Sequence, residues 1–238
     1  MIIDCISDLH GNEPKLPGGD ILIIAGDMTA RDAVVDWFDF FSWVKTTPYK
    51  HRILIAGNHD GAMEDGPDFM GKIAEFHYLQ DDGVEIDGIK FWGSPWTKSF
   101  EGMNPRCRAF TLEHDEAGEE LEDTKWGPRL LPRQSLAEKW ALIPDDTDVL
   151  ITHSPPFGVL DMVDDQEHCG NFHAGSKSLM GAIYEKKPKL HIFGHIHEGY
   201  GIDADIWSHD NNSATVYINA SHVNEYYKPT NPYQRIEI

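Results

Sequence analysis

Cysteine is scarce in this chain. Cys5, Cys107 and Cys169 are the only three among 238 residues, and no two of them have the CxxC spacing of a zinc knuckle or a redox motif. So few thiols argue against a disulfide framework, and reduced cysteines in a cytoplasmic protein are the expectation. Long hydrophobic runs are missing too. No window approaches the roughly 20 apolar residues of a membrane span, and Met1-Ile2-Ile3-Asp4-Cys5-Ile6 has neither the basic start nor the long apolar stretch of an export signal. No membrane is therefore expected among the partners. Positive charge is short as well: Lys and Arg total 20 against 40 Asp and Glu, a formal net charge of -20. Such a surface repels phosphodiester polymers, so long nucleic acid is not an expected partner. A small phosphate ester remains one, because local cations can reverse the field inside a single cleft.

What is present is enough apolar residue, 40%, to bury a core, with no internal repeat or low-complexity linker. One domain over residues 1–238 is expected, with 97–133 as a cap, lid or surface insertion. Short apolar runs recur, and each opens into polar residues. Ile2 to Ile6 ends in Ser7-Asp8-Leu9-His10-Gly11. Asp20 to Ala25 ends in Gly26-Asp27, and Arg52 to Ala56 ends in Gly57-Asn58-His59-Asp60. Asp148 to Ile151 leads to Thr152-His153-Ser154, and Leu190 to Phe193 to Gly194-His195-Ile196-His197. A turn after a strand lets neighbouring side chains converge, which the alternating faces of the strand itself forbid. Successive βαβ units place such exits on one edge of a sheet, so these groups can meet in space.

The intervening segments read as architecture. Ala33 to Val44 is an amphipathic helix with Val34, Val35, Phe38, Phe41 and Trp43 as its apolar residues. A short helix and a hairpin follow between Phe69 and Trp92, with Asp87-Gly88 as the hairpin turn. Trp96 fills core. Glu113 to Asp123 holds seven acidic residues in eleven and reads as a solvated helix or loop, with a lid over the site as the alternative. Ser135 to Leu142 and Ser176 to Lys186 are helices, the latter with Ser176 as N-cap. Thr215 to Asn219, after an Asp210 to Ser213 turn, and Gln234 to Ile238 are strands. His168, Cys169 and His173 lack metal-ligand spacing and read as incidental.

Collected, the strand exits offer Asp8, His10, Asp27, Asn58, His153, His195 and His197, a mixed oxygen and nitrogen set without thiolate. Seven groups exceed the needs of one catalytic zinc and suit two first-row divalent cations sharing a carboxylate. Ligand softness does not single out the ion: manganese, iron, zinc, nickel and cobalt all tolerate such a set.

In order and in strand context, Asp8-x-His10, Gly26-Asp27, Gly57-Asn58-His59-Asp60, His153 and Gly194-His195-x-His197 resemble the motif series of the calcineurin-like metallophosphoesterases. Phe91 to Trp96, Pro144 to Pro156 and Phe193 to Gly201 are similar in particular to the branch named for metallophosphoesterase-domain-containing proteins 1 and 2. The resemblance implies an α/β fold, a four-layer αββα sandwich of two mixed β-sheets flanked by helices. It implies that Asp8, His10 and His197 hold one metal, that Asn58, His153 and His195 hold the other, and that Asp27 bridges. His59 sits by the substrate phosphate, oriented by Asp60, as the catalytic pair. Some members of the branch have Gly where His195 stands and are weak catalysts; this chain keeps the His. The implied activity is hydrolysis of small phosphodiesters, cyclic nucleotides among them, and of phosphomonoesters. It proceeds by in-line attack of a hydroxide shared by cations roughly 3.5 to 4 Å apart. Two readings compete with it: a metal-bound binding or scaffold module with vestigial catalysis, and a mononuclear metal hydrolase of another class with half the ligands coincidental.

Overall fold

The computed structural model describes residues 1–65, 76–100, 103–124, 127–165, 170–204 and 214–238. Two sheets form its centre. The first is built from β1 (Ile2–Ile6), β2 (Gly19–Ala25), β3 (Tyr49–Ile55) and β4 (His77–Tyr78), all parallel, with β17 (Gln234–Glu237) antiparallel on the outer side of β1. The second runs β15-β16-β14-β11-β6-β5, comprising β5 (Asp82–Ile86), β6 (Ile89–Ser94), β11 (Val149–Thr152), β14 (Leu190–Phe193), β15 (Gly201–Ala204) and β16 (Val216–Asn219). Its four inner strands are parallel, and its two edge strands, β5 and β15, are antiparallel to their neighbours. Three small pairs decorate the loops: β7 (Thr97–Lys98) with β8 (Thr111–Leu112), β9 (Glu119–Thr124) with β10 (Gly127–Pro132), and β12 (Met162–Asp165) with β13 (Gly170–His173).

The strands read as apolar runs because both faces are covered. Along β2, Ile21, Ile23 and Ala25 point inward to meet Phe91, Ile151 and Ile192 of the second sheet, while Leu22 and Ile24 point outward. On the outer side lies α1 (Val34–Thr46), which buries Trp37, Phe40, Phe41 and Val44. The opposite outer layer is α3 (Leu136–Trp140) and α4 (Lys177–Lys186), where Leu136, Trp140, Leu179 and Ile183 cover Leu150 and Phe193. The order helix, sheet, sheet, helix is the four-layer sandwich expected. A short helix, α2 (Gly61–Asp65), follows the third strand exit.

Two expectations change and a third is refined. The buried stripe of α1 is Trp37, Phe40, Phe41 and Val44, at i, i+3, i+4 and i+7, whereas Val34, Val35 and Phe38 are exposed. The helix is apolar on more than one face, and only the sheet selects the buried one. The acidic run from Glu113 is neither helix nor plain loop. Residues 119–124 pair with 127–132 as a hairpin, and Asp115 at its base caps α4. Trp96 is half-buried: it packs against the core as expected, but its edge is polar and partly open. Its indole N–H donates to Asp81 and the Lys139 ammonium lies 3.9 Å from its ring centroid.

The Asp87-Gly88 turn forms as expected, with both residues at positive φ. Ser176 caps α4, its hydroxyl accepting from the Leu179 N–H at 3.0 Å. Cys5 and Cys107 are free thiols. Cys169, His168, the Asp210 to Ser213 turn and most of the helix expected after Phe69 lie outside the described residues. His173 is accounted for: it pairs at 2.7 Å with the buried Asp161. Among the described residues no helix is long and apolar enough to cross a membrane.

Candidate metal centre

The five strand exits meet at one edge of the sandwich, where the loops after β1, β2 and β3 face those after β11 and β14. Four of the residues concerned hold left-handed backbone: Asp8 (φ 52°), His10 (43°), Asp27 (53°) and His195 (68°). Each such residue costs on the order of 1–3 kcal/mol and persists only where surroundings over-determine it. Here main-chain bonds do so. Asp8 N–H donates to Gly26 O and His10 N–H to Asp27 O, both at 3.0 Å. Close approach explains the glycines. A Cβ on Gly194 would collide with Ser7 Oγ and Asp8 Oδ2, and one on Gly57 with Asp27 Oδ1.

Three groups of ligand atoms lie within 4.8 Å of one another: Asp8, His10 and His197; Asp8, Asp27 and His153; His10, Asp27 and His59. Their hydrogen bonds point lone pairs inward. His153 Nδ1–H donates to Ala25 O at 2.9 Å, because a carbonyl can only accept, which leaves Nε2 facing Asn58 Oδ1 at 3.1 Å and Asp27 Oδ2 at 3.4 Å. Asn58 is itself oriented by donating its amide to Cys107 O at 3.0 Å. In the same way His197 Nδ1–H donates to Asn224 O, turning Nε2 toward His10 Nε2 at 3.3 Å and Asp8 Oδ1 at 3.5 Å. Oxygen and nitrogen acceptors so disposed lack donors between them. Cations are what they fit, and an oxygen and imidazole set suits first-row divalent ions.

Electrostatics agrees. Burial opposes charge on Asp8 and Asp27, yet the neighbouring imidazoles hold both carboxyls below the usual range. Burial also works against a charged His153, but Asp27 overcomes it and lifts that group to about 9. A proton on His153 thus answers Asp27 where a cation would. Burial pushes His10 down to about 4 and His195, with His153 beside it, to about 3, leaving neutral rings of the kind that ligate.

His195 and Asp60 stand differently. The His195 ring lies 5.0 Å from that of His153 and is in none of the three groups, while its backbone N–H donates to the Asp8 carboxylate at 3.0 Å. Asp60 is fully buried, and its hydrogen bonds go to the main-chain N–H groups of Met28, Thr29 and Gly57. It clasps the second and third strand exits together. Burial and the charge of Asp27 raise its carboxyl to about 8, the second of which a cation beside Asp27 would relieve. His59 reaches Asp27 twice, its N–H donating to Oδ1 at 2.9 Å and its Nε2 lying 3.9 Å from Oδ2.

The sequence reading missed the segment after β16. Ser221 donates to Asp8 Oδ2 at 2.7 Å, Asn224 fixes His197, and the Tyr227 ring packs on His10. His222 is the imidazole of this segment, but its Nδ1–H donates to Asn231 O, and the segment's role rests on a bridge between Ser7 and Ser221 that joins distant parts of the chain. Beside His10 a cleft of about 260 Å³ opens, lined in part by Asn12, Glu13, Arg31, Asp36 and Phe40.

The model of the calcineurin-like phosphoesterase family matches residues 1–199, which contain every strand exit above. The chain belongs to that family. Metallophosphoesterase domain-containing protein 1 of Homo sapiens is 34% identical to it, over 96% of this chain and 68% of the human protein. A UPF0046 protein of Caenorhabditis elegans is 32% identical over 93% of this chain and 69% of its own length. Among solved structures, one crystal structure superposes with a TM-score of 0.53 at 12% identity, covering 99% of this phosphoesterase chain and 98% of that one. That likeness concerns the fold.

Proposed function

We propose that the protein is a dinuclear metal-dependent hydrolase of small phosphodiesters, cyclic nucleotides included, and of phosphomonoesters. One observation carries the reading: the inward-facing acceptors of Asp8, His10, Asp27, Asn58, His153 and His197, with family membership beside it. Two divalent ions held there would supply Lewis acidity, lowering the pKa of water and neutralising phosphate oxygens.

The chain's own groups do the rest. Asp27 Oδ2 lies 3.8 Å from His10 Nε2 and 3.4 Å from His153 Nε2, between the two ligand groups, and is the bridge. His195 completes the set as the remaining ligand. His59, 17% exposed at its side chain, stands at the opening and holds a proton toward the leaving oxygen or steadies the phosphate. Asp60 acts on His59 through the loops it ties, by fixing the main chain that carries it. The carboxylates of the adjoining cleft, with Arg31 already paired to Asp36, disfavour a second phosphate and so favour small esters.

The test is a screen of the manganese-loaded protein against matched monoester, diester and cyclic nucleotide substrates, with metal content measured alongside. Two ions per chain and diester turnover are expected. Two ions with no turnover of any ester would make it a binding module, and one ion per chain a mononuclear enzyme.

A further inference from the structure

One aromatic side chain meets the metal centre without belonging to it. The Tyr227 ring lies 4.9 Å from the His10 ring and 5.1 Å from the His197 ring, steeply inclined to both, and 6.4 Å from His59. Yet 55% of the residue is exposed. It therefore lies against the imidazoles of one proposed metal position while more than half of the residue stays open to solvent.

Its backbone is held for that placement. Tyr227 has φ 57°, a region in which a bulky residue is an outlier. Asn224 imposes it: its carbonyl accepts from Tyr227 N–H at 2.8 Å, and its side-chain oxygen accepts from the N–H groups of Tyr226 and Lys228, each at 3.0 Å. The same Asn224 carbonyl accepts from His197, so one residue sets both a metal-ligand tautomer and the tyrosine. Strain maintained around a largely open aromatic ring does not serve core packing. A ring fixed before binding loses little freedom when a flat partner covers it.

We propose that Tyr227 is the platform on which the organic part of the ester stacks, directing the site to phosphate esters of nucleosides and other planar aromatic alcohols over alkyl ones. This rests on the phosphoesterase reading above. Stacking of a base on an aromatic side chain is worth enough for an affinity change of about tenfold.

Calorimetric titration of the manganese-loaded protein with inorganic phosphate and with a nucleoside 5′-monophosphate tests it, in wild type, Tyr227→Phe and Tyr227→Leu. The monophosphate should bind about tenfold more tightly than phosphate in wild type and Tyr227→Phe. In Tyr227→Leu that ratio should fall towards one, with metal content at the wild-type level. Stacking is overturned if wild type shows no such ratio, if Tyr227→Leu keeps it, or if Tyr227→Phe loses it, which would assign the effect to the hydroxyl. Loss of metal from Tyr227→Leu would make the ring a prop for His10 and His197 instead. If wild type binds no phosphate at all, the phosphoesterase reading fails first and stacking falls with it.

Discussion

Asp27 is the residue on which the site most depends. Its carboxylate lies between His10 and His153, at the meeting of the two proposed metal positions, so Asp27→Ala is expected to lose metal from both and to abolish turnover. Undiminished metal content by elemental analysis would end the bridging role. His59→Ala should keep its metal and slow hydrolysis by about 10²- to 10⁴-fold. The loss should be greater for alkyl than for nitrophenyl leaving groups if His59 protonates the leaving oxygen, and equal for both if it steadies the phosphate. Away from the site, His191 in β14 is fully buried, and burial pushes its pKa from 6.5 down to about 3. Its folded form thus refuses a proton that the unfolded chain accepts. Stability is intact above pH 6.5 and declines as pH falls, until His191 itself protonates near 3. By pH 5 the decline from this group is about 2 kcal/mol. Urea unfolding at pH 7 and pH 5 should show a smaller loss for His191→Gln than for wild type.

At the scale of elements, strand exits were legible because a strand followed by Gly and polar residues is a local pattern. The hairpin at Asp87-Gly88 and the Ser176 cap were legible for the same reason. The role of Asp115 in the acidic segment was not, since its partners lie about sixty residues on. Asp115 accepts from the Lys177 N–H at 2.8 Å and from the hydroxyls of Ser176 and Ser178 at 2.5 and 2.6 Å. A carboxylate there also suits the positive end of α4. Asp115→Ala should therefore lower unfolding stability by about 1–2 kcal/mol, read in urea, while metal content holds. A lid role would instead spare stability and alter turnover. The exposed Val34, Val35 and Phe38 of α1 show the same limit from the other side, for helical period alone does not say which of two apolar faces a sheet will cover.

For the whole molecule the candidate metal centre draws its residues from both sheets, and metal bound there would tie them together. Asp8, His10, Asp27 and Asn58 follow strands of the first sheet; His153, His195 and His197 follow strands of the second. Ions bound to the folded form alone stabilise it by mass action, about 2.7 kcal/mol at a hundredfold excess over Kd. Chelation should lower the Tm and manganese should restore it; a Tm indifferent to chelator would mean that no such tie exists. By itself the sequence determined the ligand types, their delivery at strand ends and the family, because each depends on neighbours within a few residues. Only the tertiary structure decided which atoms meet. Asp60 turned from His59 to the main chain of Met28, Thr29 and Gly57, and Ser221 reached Asp8 across 213 positions. Tyr227 came to rest on His10 and His197. Those contacts follow from sheet register and loop closure, which no local pattern records.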